Sequence, residues 1–546
     1  MINFITENKE KAFEKAVYLL SKYGKDIPGG EVNKVTFIKD ESLIGDTYII
    51  DANEDCVTVT GNTPVSFNGA VGYLLRHRNG KIKSETVTYN SDFRAVYFAN
   101  HFHNYYHSAP TEEVLDYIES LALWGQNTLC LWFDMHHFES ISSPDAKAML
   151  TKMEALFKKA KSLGMKTSLT HLANEYYVGA DKEYLAENST ENGKYNKKLV
   201  GYYYTELCPS LEGGEKLLLA SFKELLSRFS AVGLDNILFW PYDQGGCTCD
   251  KCYPWGSKGF YDIAEKKAKI AREIFPDINV ILSLWRFDYF TTGEWEGVIP
   301  RLLQDKENFD MLMVDIDSYI PGEITKLGKP ILSFPEISMY HATPWGGFGT
   351  NPFPNALKRQ FNNTKSFCRG GMLYSEGIFE DINKAFALEL MRNPDADMKE
   401  VAKEYLGFHF GFEAADELSD IVLKLEETLF RRTKLSDGRF DDYPSGKIES
   451  LHTYVFDHPE KIEEIYLEFS EIDKKINPSA KENHRYKSLY ARIVGDFELW
   501  KNGGVPSDET DKIFEELVKA YYAENAYYFV SPVTKESILS NRGEGV

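Results

Sequence analysis

Residues 128–172 read TLCLWFDMHHFESISSPDAKAMLTKMEALFKKAKSLGMKTSLTHL, and this stretch decides the fold class. An apolar run rich in strand-forming side chains, Thr128–Phe133, ends in a polar group, Asp134–His137. A segment with helical periodicity follows at Asp145–Leu163, and a second strand-like run at Lys166–Leu172. Strand, helix and strand in close succession make the unit of a parallel sheet, because parallel strands need a crossover connection.

The same order recurs on both sides. Further strand-like runs lie at Arg94–Ala99, Asn236–Trp240, Asn279–Trp285, Asp310–Asp315, Lys329–Phe334 and Gly371–Tyr374. Helical segments fit between or after them at Thr111–Trp124, Gly214–Val232, Gly259–Phe275, Trp295–Gln304, Pro354–Phe367 and Asp381–Met391. Eight strands alternating with helices predict an α/β chain built on a (β/α)8 TIM barrel. A doubly wound open sheet is the competing fold, but no GxGxxG follows the first strand. The sixth unit is the weakest, since only Ser318–Leu327 separates its strand from the next.

The flanks have different textures. Residues 1–92 read as a small α/β domain, with a helix at Lys9–Lys22 and strands at Lys34–Ile38, Thr47–Asp51 and Cys56–Thr60. A helix at Ser66–Arg76 and a hairpin-like GKIKSETVTY complete it. The barrel is expected over 93–395. Residues 396–546 carry helix periods such as FEAADELSDIVLKLEETLFRR and predict a helical C-terminal domain.

Composition bounds the function. The chain has 62 basic and 83 acidic residues, a formal charge of −21, and 43% hydrophobic content. Such apolar content offsets chain entropy and argues against disorder. The acidic balance argues against nucleic acid or an anionic membrane as partner, since both attract a positive surface. No apolar run is long enough to span a bilayer, and MINFITENKEKAFEKAVYLL lacks the short apolar core of a secretion signal, so a cytoplasmic location is expected. The C-terminal residues 401–546 hold 29 acidic against 19 basic side chains, read as solvated helix faces.

In a barrel of this kind the active site forms where strands end. The candidates are Asn100–Asn104 with His101 and His103, then Asp134, His136 and His137, then His171, Asn174 and Glu175. Further along come Trp240, Tyr242, Asp243 and Gln244, then Trp285, Arg286 and Asp288, then Asp315 and Asp317, Glu336 and Glu376. Carboxylates and flat rings at one mouth suit a sugar, whose apolar faces stack on rings while carboxylates bond hydroxyls and move protons. A carboxylate pair is also what cleavage of a glycosidic bond requires. Each has a structural alternative: Asp243 as a loop cap, Glu376 as a helix-start charge, Asp315 or Asp317 as a support. The paired histidines bond hydroxyls more readily than a metal, because HFH and HH are not the HExxH spacing.

Cys247, Cys249 and Cys252 in GGCTCDKC are the strongest local signal. With Cys208 of ELCPS as fourth ligand they predict a structural zinc site, the alternative being free or redox-active thiols. Cys56, Cys130 and Cys368 sit in apolar runs and read as small core residues.

With these motifs in place the chain resembles a group of glycoside hydrolases: family 20 β-hexosaminidases, family 67 and 115 α-glucuronidases and family 163 hexosaminidases. The residues that carry the resemblance are VTVTGNTPVSFNGAVGYLL, FRAVYFANHFHN, ELCPS with PYDQGGCTCDKC, and YSEGIFEDINKA followed by MRNPDAD. The last motifs look most like family 163 and its relatives. The resemblance implies an exo-acting hydrolase on short oligosaccharides, β-N-acetylhexosaminidase-like, with no organic cofactor. Family 20 enzymes place an Asp-Glu pair after the fourth strand, and here the matching positions are Asp243 and Gln244. Glutamine cannot donate a proton as an acid, so the acid would be Glu336 or Glu376. That departure leaves an α-glucuronidase-like hydrolase or a non-catalytic sugar-binding barrel open. Trp240, Tyr242, Trp285 and Trp345 would stack on rings, His101, Asn104, His137, Gln244 and Asp315 would bond hydroxyls, and Arg286 would meet a uronate.

Overall fold

The computed structural model describes all residues outside 25–29, 101–104, 188, 190–204, 242–245, 290, 316–318, 339–349, 376, 378–380, 429–430, 435–439, 442–452, 457, 505–506, 521 and 523–546. The chain divides into two compact units. One comprises Met1–Asn127, Glu336–Asn362 and Leu373–Val546, the other Thr128–Pro335 and Asn363–Met372.

The N-terminal sheet contains β1 (Ile2–Thr6), β2 (Glu31–Lys39), β3 (Tyr48–Ala52), β4 (Cys56–Gly61) and β5 (Glu85–Val87), in the order β1-β2-β4-β3-β5. Against it lie α1 (Glu14–Tyr23) and α2 (Pro64–His77). A reciprocal cap fixes the start of α2: Thr63 Oγ1 accepts from the Ser66 amide at 3.0 Å, and Ser66 Oγ accepts from the Thr63 amide at 3.1 Å. Gly72 lets this helix approach the chain, since a Cβ there would lie 1.8 Å from the Leu123 carbonyl oxygen. Two details differ from the sequence reading. Strand β1 was not expected, and GKIKSETVTY supplies only β5, which pairs antiparallel with β3 rather than folding on itself.

The (β/α)8 barrel expected from the strand and helix pattern is the fold observed. Its strands are β6 (Phe93–Phe98), β7 (Thr128–Trp132), β8 (Lys166–Leu172), β9 (Asn236–Trp240), β10 (Asn279–Ser283), β11 (Met311–Val314), β12 (Ile331–Ser333), β13 (Glu336–Ser338) and β14 (Cys368–Ser375). The sheet runs β12-β11-β10-β9-β8-β7-β6-β14-β13, and a further β12–β14 pairing closes it. The helices are α3 (Tyr105–Ser108), α4 (Thr111–Ala122), α5 (Pro144–Ser162), α6 (Glu212–Arg228), α7 (Gly259–Ile274), α8 (Glu294–Gln304), α9 (Pro354–Thr364) and α10 (Asp381–Arg392). As the sequence suggested, the described residues between β11 and β12 form no α-helix, only a short 3-10 turn at Ile324–Lys326.

Parallel pairing sets the rim. Trp132 lies opposite Thr170, Leu172 opposite Trp240, and Phe239 opposite Leu282, so β7 to β10 end together. The strands β7 to β11 are buried, with Leu129, Leu131, Leu169, Ile237, Phe239, Ile281 and Leu312 inaccessible to solvent. The seventh strand is broken. Pro335, which has no amide hydrogen to donate, separates β12 from β13. The register against β14 shifts between Glu336 and Ser338, so Glu336 pairs with Tyr374 and starts a strand of its own.

After the barrel come α11 (Met398–Phe410), α12 (Ala415–Glu426), α13 (Pro459–Ile472), α14 (His484–Lys501) and α15 (Asp508–Ala520), with a small antiparallel sheet of Arg431–Lys434, Phe440–Asp441 and Thr453–Phe456. No described helix is long and apolar enough to cross a membrane.

Candidate functional site

Three large rings meet where β9, β10 and β12 end. Trp240 is the last residue of β9, Trp285 lies two residues past β10, and Phe334 directly follows β12. The Trp240 ring centroid is 5.0 Å from that of Trp285 and 4.8 Å from that of Phe334. Both indole Nε1 atoms are buried and have no hydrogen-bond partner among the described residues. A buried N–H without an acceptor costs its full desolvation, about 1–3 kcal/mol, so two of them side by side ask for an acceptor from a ligand or water.

Arg286 follows Trp285 and lays its guanidinium 4.4 Å from the Trp285 ring centroid. Its backbone is left-handed at φ 55°, and so is that of Asp288 at φ 59°. For residues with a Cβ such a conformation is strained, and strain of this kind collects at functional turns. Asp288 also anchors a helix. Its Oδ1 accepts from the Glu294 amide at 2.7 Å, and Glu294 Oε2 accepts from the Asp288 amide at 3.0 Å, so the two residues fix the start of α8.

A buried polar cluster occupies the ends of β7 and β8. Trp132 Nε1 donates to Glu175 Oε1 at 3.0 Å, and His136 Nδ1 lies 3.2 Å from Glu175 Oε2. His171 places Nδ1 3.3 Å from Glu175 Oε1 and receives Lys267 Nζ on Nε2 at 2.7 Å. Lys267 also donates to the Ala173 carbonyl at 2.9 Å. Burial raises the Glu175 pKa well above the carboxylate range, which the Trp132 bond only partly opposes. Burial also draws Lys267 down to about 7, against the pull of Glu175. The same burial, with the Lys267 charge, holds His171 well below its ordinary value. Asp134 is raised by burial too, with its partner His137 acting in the opposite direction. Burial in this cluster therefore favours the protonated form of Glu175, beside a ring of donors and acceptors.

Glu206, on the segment after β8, forms an isolated bridge with Glu175. It is inaccessible to solvent, and its two carboxylate oxygens have no hydrogen-bond partner among the described residues. Burial first, and the Glu175 charge second, push its pKa well up.

Of the residues named from the sequence, Trp240, Trp285 and Arg286 are brought together, and Asp315 stands directly after β11. His137 bonds Asp134 through Nδ1. Glu336 is half-buried at the start of β13. Asp243, Glu376, His101, Asn104, Tyr242, Gln244 and Trp345 lie outside the described residues. Glu206 and Lys267 were not singled out by the sequence, and Glu175 was named only as a strand end. One sign was present: Lys267 interrupts the apolar stripe Ile263, Ala264, Ala268 and Ala271 of α7.

Among the described residues two groups could hold a metal by donor type. Asp134, His136 and His137 lie close, but both histidines already direct Nδ1 at a carboxylate. Cys208, Cys247, Cys249 and Cys252 converge, with all four sulfur atoms within 4.8 Å of one another. Of the other cysteines, Cys130 is a buried core thiol as expected, while Cys56 and Cys368 are half-buried.

No family model matches the chain, and no curated protein matches it in sequence. Solved structures do match. The fold is similar to that of a family GH115 4-O-methyl-α-glucuronidase with specificity for decorated arabinogalactans, at TM-score 0.64 and 9% identity over 98% of this chain and 77% of that one. It is similar to the family 89 glycoside hydrolase from Clostridium perfringens, in complex with 2-acetamido-1,2-dideoxynojirimycin, at TM-score 0.58 and 13% identity, covering 93% of this chain and 65% of that one. It is also similar to the Streptomyces plicatus N-acetyl-β-hexosaminidase, at TM-score 0.52 and 12% identity, covering 76% and 91%. At these identities the shared property is the fold.

Proposed function

We propose that the protein is a glycoside hydrolase that removes sugars from the ends of short oligosaccharides, with β-N-acetylhexosaminides as its substrate class. The observation that carries this reading is the pair of buried indole donors of Trp240 and Trp285, without a hydrogen-bond partner among the described residues, set beside Phe334 at the barrel rim. Rings in contact offer a stacking surface for an apolar sugar face, and the idle N–H groups offer donors to its oxygens. The solved neighbours that share the fold include hexosaminidase and glucuronidase enzymes, which supports a sugar substrate.

In this reading Asp243, Glu336 and Glu376 are the acidic core. Glu336 or Glu376 protonates the leaving oxygen, and Asp243 orients the substrate or activates water. The proton donor cannot be Gln244, because an amide carries no acidic proton at neutral pH.

A second reading is favoured by Arg286. Its guanidinium is held on the Trp285 ring, where a fixed planar cation suits the carboxylate of a uronic acid. An α-glucuronidase-like activity is therefore the alternative.

The test is turnover of a panel of nitrophenyl glycosides that includes the β-N-acetylglucosaminide and the α-glucuronide. Loss of the acid in E336Q or E376Q is expected to lower kcat by roughly 10²–10⁴ on the preferred substrate. Activity on one of these substrates that survives D243N, E336Q and E376Q alike would mean that the chemistry is elsewhere. Sugar binding without turnover would identify a binding barrel instead.

A further inference from the structure

The four converging cysteines form a site independent of the sugar chemistry. Three come from the loop after β9, at 247, 249 and 252, and the fourth, Cys208, from the segment that leads into α6. Cys208 Sγ lies 3.6 Å from Cys247 Sγ, 3.7 Å from Cys249 Sγ and 3.9 Å from Cys252 Sγ. A disulfide would need about 2.05 Å, so no pair is oxidised. A tetrahedron of thiolates about 2.3 Å from a central zinc has edges of about 3.8 Å, and the three measured edges scatter around that value.

The surroundings suit the same geometry. Cys208, Cys247 and Cys252 are buried and Cys249 is half-buried. Ser210 Oγ lies 3.0 Å from Cys208 Sγ and 3.4 Å from Cys249 Sγ, so a hydroxyl stands ready to stabilise thiolate charge from outside the tetrahedron. A tight turn aligns two of the donors, with the Cys252 and Tyr253 amides both bonding the Cys249 carbonyl at 3.0 Å. Cys130 is a useful contrast: a lone buried thiol that meets a hydroxyl, Thr170 Oγ1 at 3.1 Å, rather than another sulfur. Among the described residues these four cysteines are the ones that gather.

We propose that Cys208, Cys247, Cys249 and Cys252 bind one zinc ion in a closed, structural tetrathiolate site. Four protein ligands leave no open position for water or substrate, so the ion takes no part in turnover. It ties the segment ahead of α6 to the loop after β9, the loop that also carries Asp243 and Gln244.

The experiment uses the full chain, purified without chelator. Elemental analysis is expected to find about one zinc per chain, released stoichiometrically when a mercurial blocks the thiols. Replacing the ion with cobalt(II) is expected to give the intense charge-transfer bands of tetrahedral thiolate coordination. C249S is expected to lose the zinc and C130A to keep it. Should C249S fail to fold, thiol alkylation of the native wild-type chain decides: the four sulfurs are protected until zinc is withdrawn. Four thiols that alkylate freely in the protein as purified, before any metal is withdrawn, a disulfide among them, or iron in place of zinc would each overturn the proposal.

Discussion

Two carboxyl groups in this molecule are both hidden from solvent, yet their surroundings move their pKa values in opposite directions. Glu175, in the unit of Thr128–Pro335, has one firm donor in Trp132, and burial wins: its pKa rises well above the carboxylate range. Asp381, at the start of α10 in the other unit, suffers the same burial, but the charges of Arg485 and Lys384 outweigh it and hold the carboxylate ionised. Arg485 Nε donates to Asp381 Oδ2 at 2.5 Å and Tyr405 to the same oxygen at 2.7 Å, while Tyr117 donates to Oδ1. Lys384 backs the array from 2.7 Å behind the Tyr117 hydroxyl. Burial alone therefore does not set the state of an acid; the number and charge of the donors aimed at it do. A fully compensated carboxylate is a structural tie, whereas an undercompensated one retains a proton, as functional acids do.

The contrast can be broken most forcefully from the Asp381 side. Removing the compensating cation with Arg485→Ala leaves an ionised group buried, and a stability loss of about 3–5 kcal/mol is expected in denaturant unfolding. Asp381→Asn strands Arg485 in turn and is expected to cost a little less, about 2–4 kcal/mol, since an amide still accepts from the tyrosines. The matching change on the other side, Glu175→Gln, replaces one neutral group by another, and less than about 1 kcal/mol should be lost. A cost for Glu175→Gln as large as that for Asp381→Asn would show that Glu175 is ionised after all.

The pH dependence sharpens the same point, because the two groups have opposite signs. The folded pKa of Asp381 lies below its unfolded value of about 3.9, so its contribution is complete above that pH and is lost as pH falls toward the folded value. The folded pKa of Glu175 lies above its unfolded value of about 4.3, so its contribution is complete below that pH and is lost as pH rises through the folded value. Unfolding measured across pH should therefore find the acid-side loss diminished in Asp381→Asn and the alkaline-side loss diminished in Glu175→Gln. Trp132→Phe, which removes one donor from Glu175, is expected to cost about 1 kcal/mol, close to the small loss for Glu175→Gln.

The barrel was legible in the sequence because its strands are fully buried runs and its helices have one apolar face. Lys166–Leu172 and Asn236–Trp240 emerge with the bounds read from the residues. What escaped was local. INFIT is a short alternation running into charged residues, and only pairing with β2 makes it a strand. Pro335 hides that the chain resumes strand pairing at Glu336. The meeting of Cys208 with Cys247, Cys249 and Cys252 was legible because few roles suit clustered thiols. Lys267 was legible only as a break in the apolar stripe of α7, because a lysine on a helix normally carries its charge to water and the sequence does not name His171 as its partner. Glu206 has even less signature, since a glutamate beside a turn reads as solvated until its burial is seen.

The pair of indoles at the rim has an optical consequence. Trp240 and Trp285, two of the eight tryptophans, hold their rings 5.0 Å apart and inclined by 33°. At that separation their excited states couple, and a fixed inclination between coupled chromophores gives circular dichroism in the near ultraviolet. The mouth of the barrel thus carries a built-in spectroscopic reporter, one that reads the arrangement of the two rings without a label.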